Sequence, residues 1–203
     1  MDATKRQQQM RRGVTALRHQ FAQGGSGVFS AVLEGADAAQ IIETEAGHYR
    51  DRCYPPLTTL RLFIGQVLSE DGACQDVVGR HLSACVATGR RPCGLNTGPY
   101  CQARQRLPLA MPQRLSRMVG ERLESRMPKA WCWRGRHVKL FDGTTVSMPD
   151  TPENQRAFPQ SSEQKPGLGF PVARIGGLIS LASGAVLAHA VAACKGKGTG
   201  EQT

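Results

Sequence analysis

Aromatic residues are scarce: two Trp, three Tyr and six Phe supply 5% of the 203 residues. The core must therefore be mostly aliphatic, and the 40% hydrophobic content allows one packed domain or two small ones. Acids are few as well. Sixteen Asp and Glu stand against 26 Lys and Arg, a formal net charge of +10 with a pI of about 9.7. Arginine supplies most of the excess, and its planar fork matches phosphate, so a polyanionic partner such as nucleic acid is expected over a merely basic surface. No apolar run approaches the ~20 residues of a membrane span. Met1 to Gln23 is polar and charged and lacks the apolar segment of a secretory signal. The seven cysteines (Cys53, Cys74, Cys85, Cys93, Cys101, Cys132 and Cys194) are odd in number. Together these features predict free thiols in a reducing cytosol. Cys85, Cys93 and Cys101 are evenly spaced near His81, but no Cys-x2-Cys pair exists, which argues against zinc.

The chain is punctuated by glycine and proline. Met1 to Gln23 is expected to be helical or frayed, and Gly24-Gly25-Ser26-Gly27 breaks it. Val28 to Tyr49 reads as one or two short helices. After Tyr54-Pro55-Pro56, the stretch Leu57 to Leu68 predicts a buried helix with Leu57, Leu60, Phe63, Ile64, Val67 and Leu68 on one face. Cys74 to Ala87 predicts a second, with Val77, Val78, Leu82, Cys85 and Val86 facing inward. Thr97 to Leu107 is a short helix with Pro99 in its first turn. Pro112 to Met127 carries the stripe Leu115, Met118, Val119, Leu123 and Met127, with Arg114, Arg117, Arg122 and Arg126 on its other faces. Composition changes after Pro128. His137 to Phe141 is strand-like, and Thr144 to Met148 is its continuation or a second short strand. Pro149 to Pro171 reads as a long loop. Val172 to Leu181 and Val186 to Cys194, split by Ser183-Gly184, predict a β-hairpin. Lys195 to Gly200 reads as a loop.

Asp142 is the most informative residue. The apolar run Val138-Lys139-Leu140-Phe141 ends at it, and Gly143-Thr144-Thr145 follows. One reading is a strand that delivers a carboxylate to its exposed end, where it can hold a divalent metal. The other is a turn, since Asp-Gly is a common hairpin signal. Gly196-Lys197 is not a P-loop, because Gly198 follows it and the required upstream glycine is lacking. A haloacid-dehalogenase-like site is excluded by Leu140, where that chemistry needs a nucleophilic Asp. His137 and His189 show no nucleophile in a recognisable setting and are expected to be structural.

The stretch Gly98-Pro99-Tyr100-Cys101-Gln102-Ala103-Arg104-Gln105-Arg106-Leu107-Pro108 resembles a signature of bacterial transposases of the insertion-sequence-4-like family. Asp142-Gly143-Thr144-Thr145-Val146-Ser147-Met148-Pro149-Asp150-Thr151 resembles the strand that bears the first catalytic Asp there. Glu153-Asn154-Gln155, Phe158-Pro159-Gln160 and Gln164 to Pro171 follow in the same order. The likeness runs from about Tyr54 to Thr203. It implies an α+β chain: a helical DNA-binding region over 1–132, then an incomplete ribonuclease-H-like core over 133–203 that holds its first three strands. It also implies a DDE mechanism, in which two Asp and one Glu hold two Mg²⁺ for in-line phosphoryl transfer. Asp142 would be the first of these, as catalytic group and metal ligand. The hairpin ending near Cys194 would be strands two and three. Arg104, Arg106, Arg114 and Arg117 would contact DNA phosphates at the element's terminal inverted repeats. The resemblance further implies dimers on paired ends, a bacterial cytoplasmic, nucleoid-associated setting and no membrane partner.

The second Asp and the Glu have no match here. Asp150 and Glu153 sit in the loop after the first strand, and Glu201 comes too early. A truncated N-terminal portion is therefore expected, inactive and prone to aggregate alone, without stable Mg²⁺ binding. The alternatives are a DNA-binding protein without catalysis, such as an inhibitor that competes with the full transposase, or an unrelated basic α/β domain.

Overall fold

The computed structural model describes residues 33–49, 52–161, 165 and 167–194, together with Gln8 and Arg12. Most of the basic start, the Gly24–Gly27 break and the glycine-rich end with Glu201 lie outside the described residues. The protein is α+β, with six α-helices and one three-stranded antiparallel sheet among the described residues. It divides into two compact units, Met1–Leu115 and Ser116–Thr203.

The first unit is helical. Its elements are α1 (Ala36–Ala46), α2 (Pro56–Leu68), α3 (Cys74–Ala87), α4 (Gly98–Gln105) and the start of α5 (Ala110–Ser125). Local chemistry sets the starts. Pro56 and Pro99 occupy first-turn positions where no N–H partner is needed. Asn96 Oδ1 accepts from Gly98 N–H at 2.8 Å and turns the chain into α4. Asp76 complements the positive end of α3. Gly72, at φ +62°, makes the left-handed turn between α2 and α3.

Val77, Val78 and Tyr100 are buried together, with Tyr54, Leu62, Cys74 and Leu82 against them. Two inward faces differ from the expected ones. On α2, Phe63 and Val67 are exposed, and the inward positions belong to Thr59, Leu60 and Gln66. Gln66 is tolerated inside because its amide is satisfied at both ends. Nε2 donates to Gly72 O at 2.6 Å, and Oε1 accepts from Tyr100 Oη at 2.8 Å and Arg104 Nη1 at 2.9 Å. On α3, Val86 is exposed and His81 is buried. Val77, His81 and Cys85 recur every four residues along that face, whereas Val86 falls one position off it.

The expectation of uniformly free thiols is also corrected. Cys53, just before α2, and Cys93, just before α4, form a disulfide with a Cα–Cα distance of 5.8 Å. Cys74, Cys85, Cys101, Cys132 and Cys194 are free.

The second unit contains the rest of α5, a 3-10 turn at Lys129–Trp131, β1 (Lys139–Ser147), α6 (Pro152–Ala157), β2 (Val172–Ser180) and β3 (Val186–Ala193). The composition change near Trp133 thus falls inside this unit. The physical reason is close packing of α5 on β3 at Gly120, where a Cβ would stand 2.6 Å from Val186 O. The strands pair in the order β1-β2-β3, with Asp142 opposite Gly177 and Gly177 opposite His189. The expected hairpin is present, with Gly184 at φ +68° in its turn. Two other expectations change. Gly143-Thr144-Thr145 is not a turn: β1 runs straight through it, paired residue by residue with β2. The loop Pro149–Pro171 contains α6, started by Pro152 and by Thr151 Oγ1, which accepts from Asn154 N–H at 3.2 Å. All nine residues of β1 are exposed, which leaves one edge strand open to solvent.

Candidate functional site

Asp142 lies in the middle of β1 rather than at its end, with its carboxylate exposed. Residues paired across antiparallel strands share a face, so Asp142, Gly177 and His189 form one row across the sheet. Gly177 carries no side chain, and a Cβ placed there would meet nothing within 4 Å, so the row is open at its centre. Asp142 Oδ1 accepts from the N–H of Gly143 at 2.8 Å. Magnesium demands several oxygen ligands in near-octahedral array. Among the described residues no three His, Cys, Asp or Glu stand together in a way that could hold a metal. One carboxylate beside a glycine does not fit a two-metal centre, so the described residues do not complete one.

The four arginines are not equivalent. Arg104 is half-buried and serves the helical core. Its guanidinium stacks 4.6 Å from the centre of the Phe63 ring, donates to Gln66 Oε1 and lies 3.7 Å from Cys74 Sγ. Arg114 is paired with Glu45 of α1. Arg106 is exposed on the wall of a cleft of about 810 Å³ in the first unit, whose lining also includes His48, Tyr49, Arg52 and Gln102. Arg117 is exposed on α5 in the second unit. Arg106 is therefore brought together with Arg52, a cation that local sequence reading passed over. No signal short of the folded helices links those two positions.

Burial shapes the titrating groups of the helical core. Desolvation pushes the Tyr100 hydroxyl up to about 12, against a smaller downward pull from the Arg104 charge. It also lowers the His81 imidazole below its ordinary value.

His137 corrects the expectation that it has no nucleophile nearby. Its Nε2 lies 3.7 Å from Cys132 Sγ, and its Nδ1 lies 2.8 Å from Glu124 Oε1. The sequence signal was present as Cys and His five residues apart across Arg134-Gly135, but the carboxylate comes from α5. Trp131 and Trp133, on either side of Cys132, are 63% and 57% exposed, and the Arg134 guanidinium sits 5.1 Å from the centre of the Trp133 ring. An exposed aromatic beside a cation is a surface that bases can stack on.

Comparison with protein-family models, with curated proteins and with solved structures finds no match to this chain.

Proposed function

We propose that this chain carries the DNA-binding region and the first catalytic carboxylate of a DDE transposase of the insertion-sequence-4-like kind, with its sheet belonging to a ribonuclease-H-like core. The observation that carries the reading is the position of Asp142. It is an exposed carboxylate in the middle of the first strand of an antiparallel β1-β2-β3 sheet, inside the ordered motif set that resembles that family. The formal charge of +10 and the exposed Arg106 and Arg117 support a polyanionic partner. On this reading Asp142 is one of three carboxylates, and DNA cleavage awaits the other two. Arg104 and Arg114 support the fold, and Arg106 and Arg117 contact phosphate.

Two measurements test the reading. Affinity for a labelled DNA duplex should fall steeply with added salt, and Arg106→Ala or Arg117→Ala should each flatten the log–log salt slope by about one unit. Asp142→Asn should leave binding intact. Salt-independent binding, or none, removes the DNA partner. The catalytic part is tested in the gene. A reading frame beyond the codon for Thr203 that encodes a strand-borne Asp and then a helix-borne Glu supports it, and the lack of such a frame in all three translations overturns it.

A further inference from the structure

The geometry points to Cys132 as a nucleophilic thiol, activated by His137 and Glu124 and open to modification by small electrophiles of the hydroperoxide class. This inference is independent of the DNA-binding reading.

One tight reversal and two contacts from elsewhere in the chain bring the groups together. Trp133 and Arg136 exchange backbone hydrogen bonds, N–H to O in both directions, at 3.1 and 3.0 Å. Arg134 and Gly135 between them adopt left-handed φ values of 50° and 75°, the conformation of a tight two-residue reversal. That reversal returns His137 to the side of Cys132. Glu124 reaches His137 from the last turn of α5. Ser183 Oγ in the β2–β3 turn donates to Glu124 Oε2 at 3.4 Å and steadies it.

The order of contacts sets the chemistry. Glu124 accepts from His137 Nδ1–H, so the neutral ring keeps its lone pair on Nε2, facing Cys132 Sγ. Nε2 is thus placed to take the thiol proton, and Glu124 steadies the imidazolium that results. Glu124 is itself held below the usual carboxylate range, first by a hydrogen bond from Ser180 and then by His137 and the nearby Lys139 charge.

With hydrogen peroxide the step balances. Sγ attacks one peroxide oxygen, an S–O bond forms, and the O–O bond breaks. The thiol proton, relayed through Nε2, joins the departing hydroxide as water. Sulfur is oxidised to a sulfenic acid and the peroxide is reduced. Acyl chemistry is less well served. The N–H groups of Cys132 and Trp133 already donate to Lys129 O and Arg136 O at 3.1 Å, so neither is free for an oxyanion.

The molecule contains its own control. Cys85 Sγ also lies 3.7 Å from a histidine, His81 Nε2. Both of those residues are buried, and the His81 pKa is lowered by burial. Cys85 should therefore be inert where Cys132 reacts.

The test exposes the full chain to hydrogen peroxide, captures sulfenic acid with dimedone and reads each cysteine by peptide mass spectrometry. Cys132 is expected to label at least about tenfold faster than Cys85 or Cys194. His137→Gln should slow it by about tenfold or more, and Glu124→Gln by less. Equal labelling of the free cysteines, or an unchanged Cys132 rate in His137→Gln with native circular dichroism, overturns the inference. Alkylation of Cys132 in the unmutated chain by iodoacetamide gives a second test that needs no variant. The rate should be higher in the folded chain than in urea, and an equal or lower folded rate overturns the inference whatever the variants do.

Discussion

Replacing Gly120 by alanine should destabilise the second unit, although alanine is the better helix former. A Cβ built on Gly120 would stand 2.6 Å from Val186 O and 3.3 Å from Leu187 Cα, both backbone atoms of β3. Neither can swing aside as a side-chain tip can, so α5 and the hairpin must part. Overpacking of this kind costs about 1–3 kcal/mol, and a clash with backbone that cannot give way falls in the upper part of that range, about 2–3 kcal/mol. The gain in helix propensity from Gly to Ala offsets roughly 1 kcal/mol of that. The net loss of about 1–2 kcal/mol should lower the melting temperature by about 2–8 °C in a chain of this size. The assay is built into the sequence. The only two tryptophans, Trp131 and Trp133, both lie in the second unit, so fluorescence excited where tryptophan absorbs and tyrosine does not follows that unit on heating. An unchanged or raised melting temperature would refute the reasoning, because it is the result expected of a helix glycine with open space around it.

Three further outcomes follow from the helical unit. Arg104→Ala should lower its stability by about 2 kcal/mol, from the lost charged hydrogen bond to Gln66 and the lost stacking on Phe63; thermal melts by circular dichroism check this, and the salt slope of DNA binding should not move. Reducing Cys53–Cys93 reopens a loop spanning 40 residues and should cost about 4 kcal/mol on the loop-entropy scale, measured by urea titration with and without reductant. Tyr100 binds its proton more tightly when folded, about 12 against an ordinary 10.0. Stability is therefore fully present below pH 10 and falls as pH rises toward 12, because the unfolded chain ionises first; the loss should reach about 2 kcal/mol. Phenolate absorbance should show Tyr100 titrating only as the unit unfolds, with burial holding Tyr54 above its ordinary value as well, and ordinary titration of all three would count against the burial of Tyr100.

The elements that local sequence could specify are those whose signals are local. Apolar residues at helical spacing, with Pro in first turns, marked α2, α3, α4 and α5. The strand-rich runs split by Ser183-Gly184 marked the β2–β3 hairpin. The sense of Asp142 was half legible. Its strand was read, but Asp-Gly carries the same local preference in a turn as in this strand. Pairing with nine residues of β2, from Ser180 to Val172, settled it in favour of the strand.

What the tertiary structure alone decided involves residues far apart in the chain. The inward place of Gln66 depends on Tyr100 and Arg104, which supply its hydrogen bonds from a later helix. The withdrawal of Arg104 and Arg114 from the set of free cations depends on Phe63 and Glu45. Cys53 meets Cys93, and Glu124 orients His137 against Cys132, only once the intervening elements have packed. By itself the sequence determined net charge, helix and strand periods and turn chemistry, because each is a property of neighbours within a few residues. Partners were left to the fold, because a buried polar group or a reactive thiol is defined by whatever the closed chain brings within about 4 Å of it.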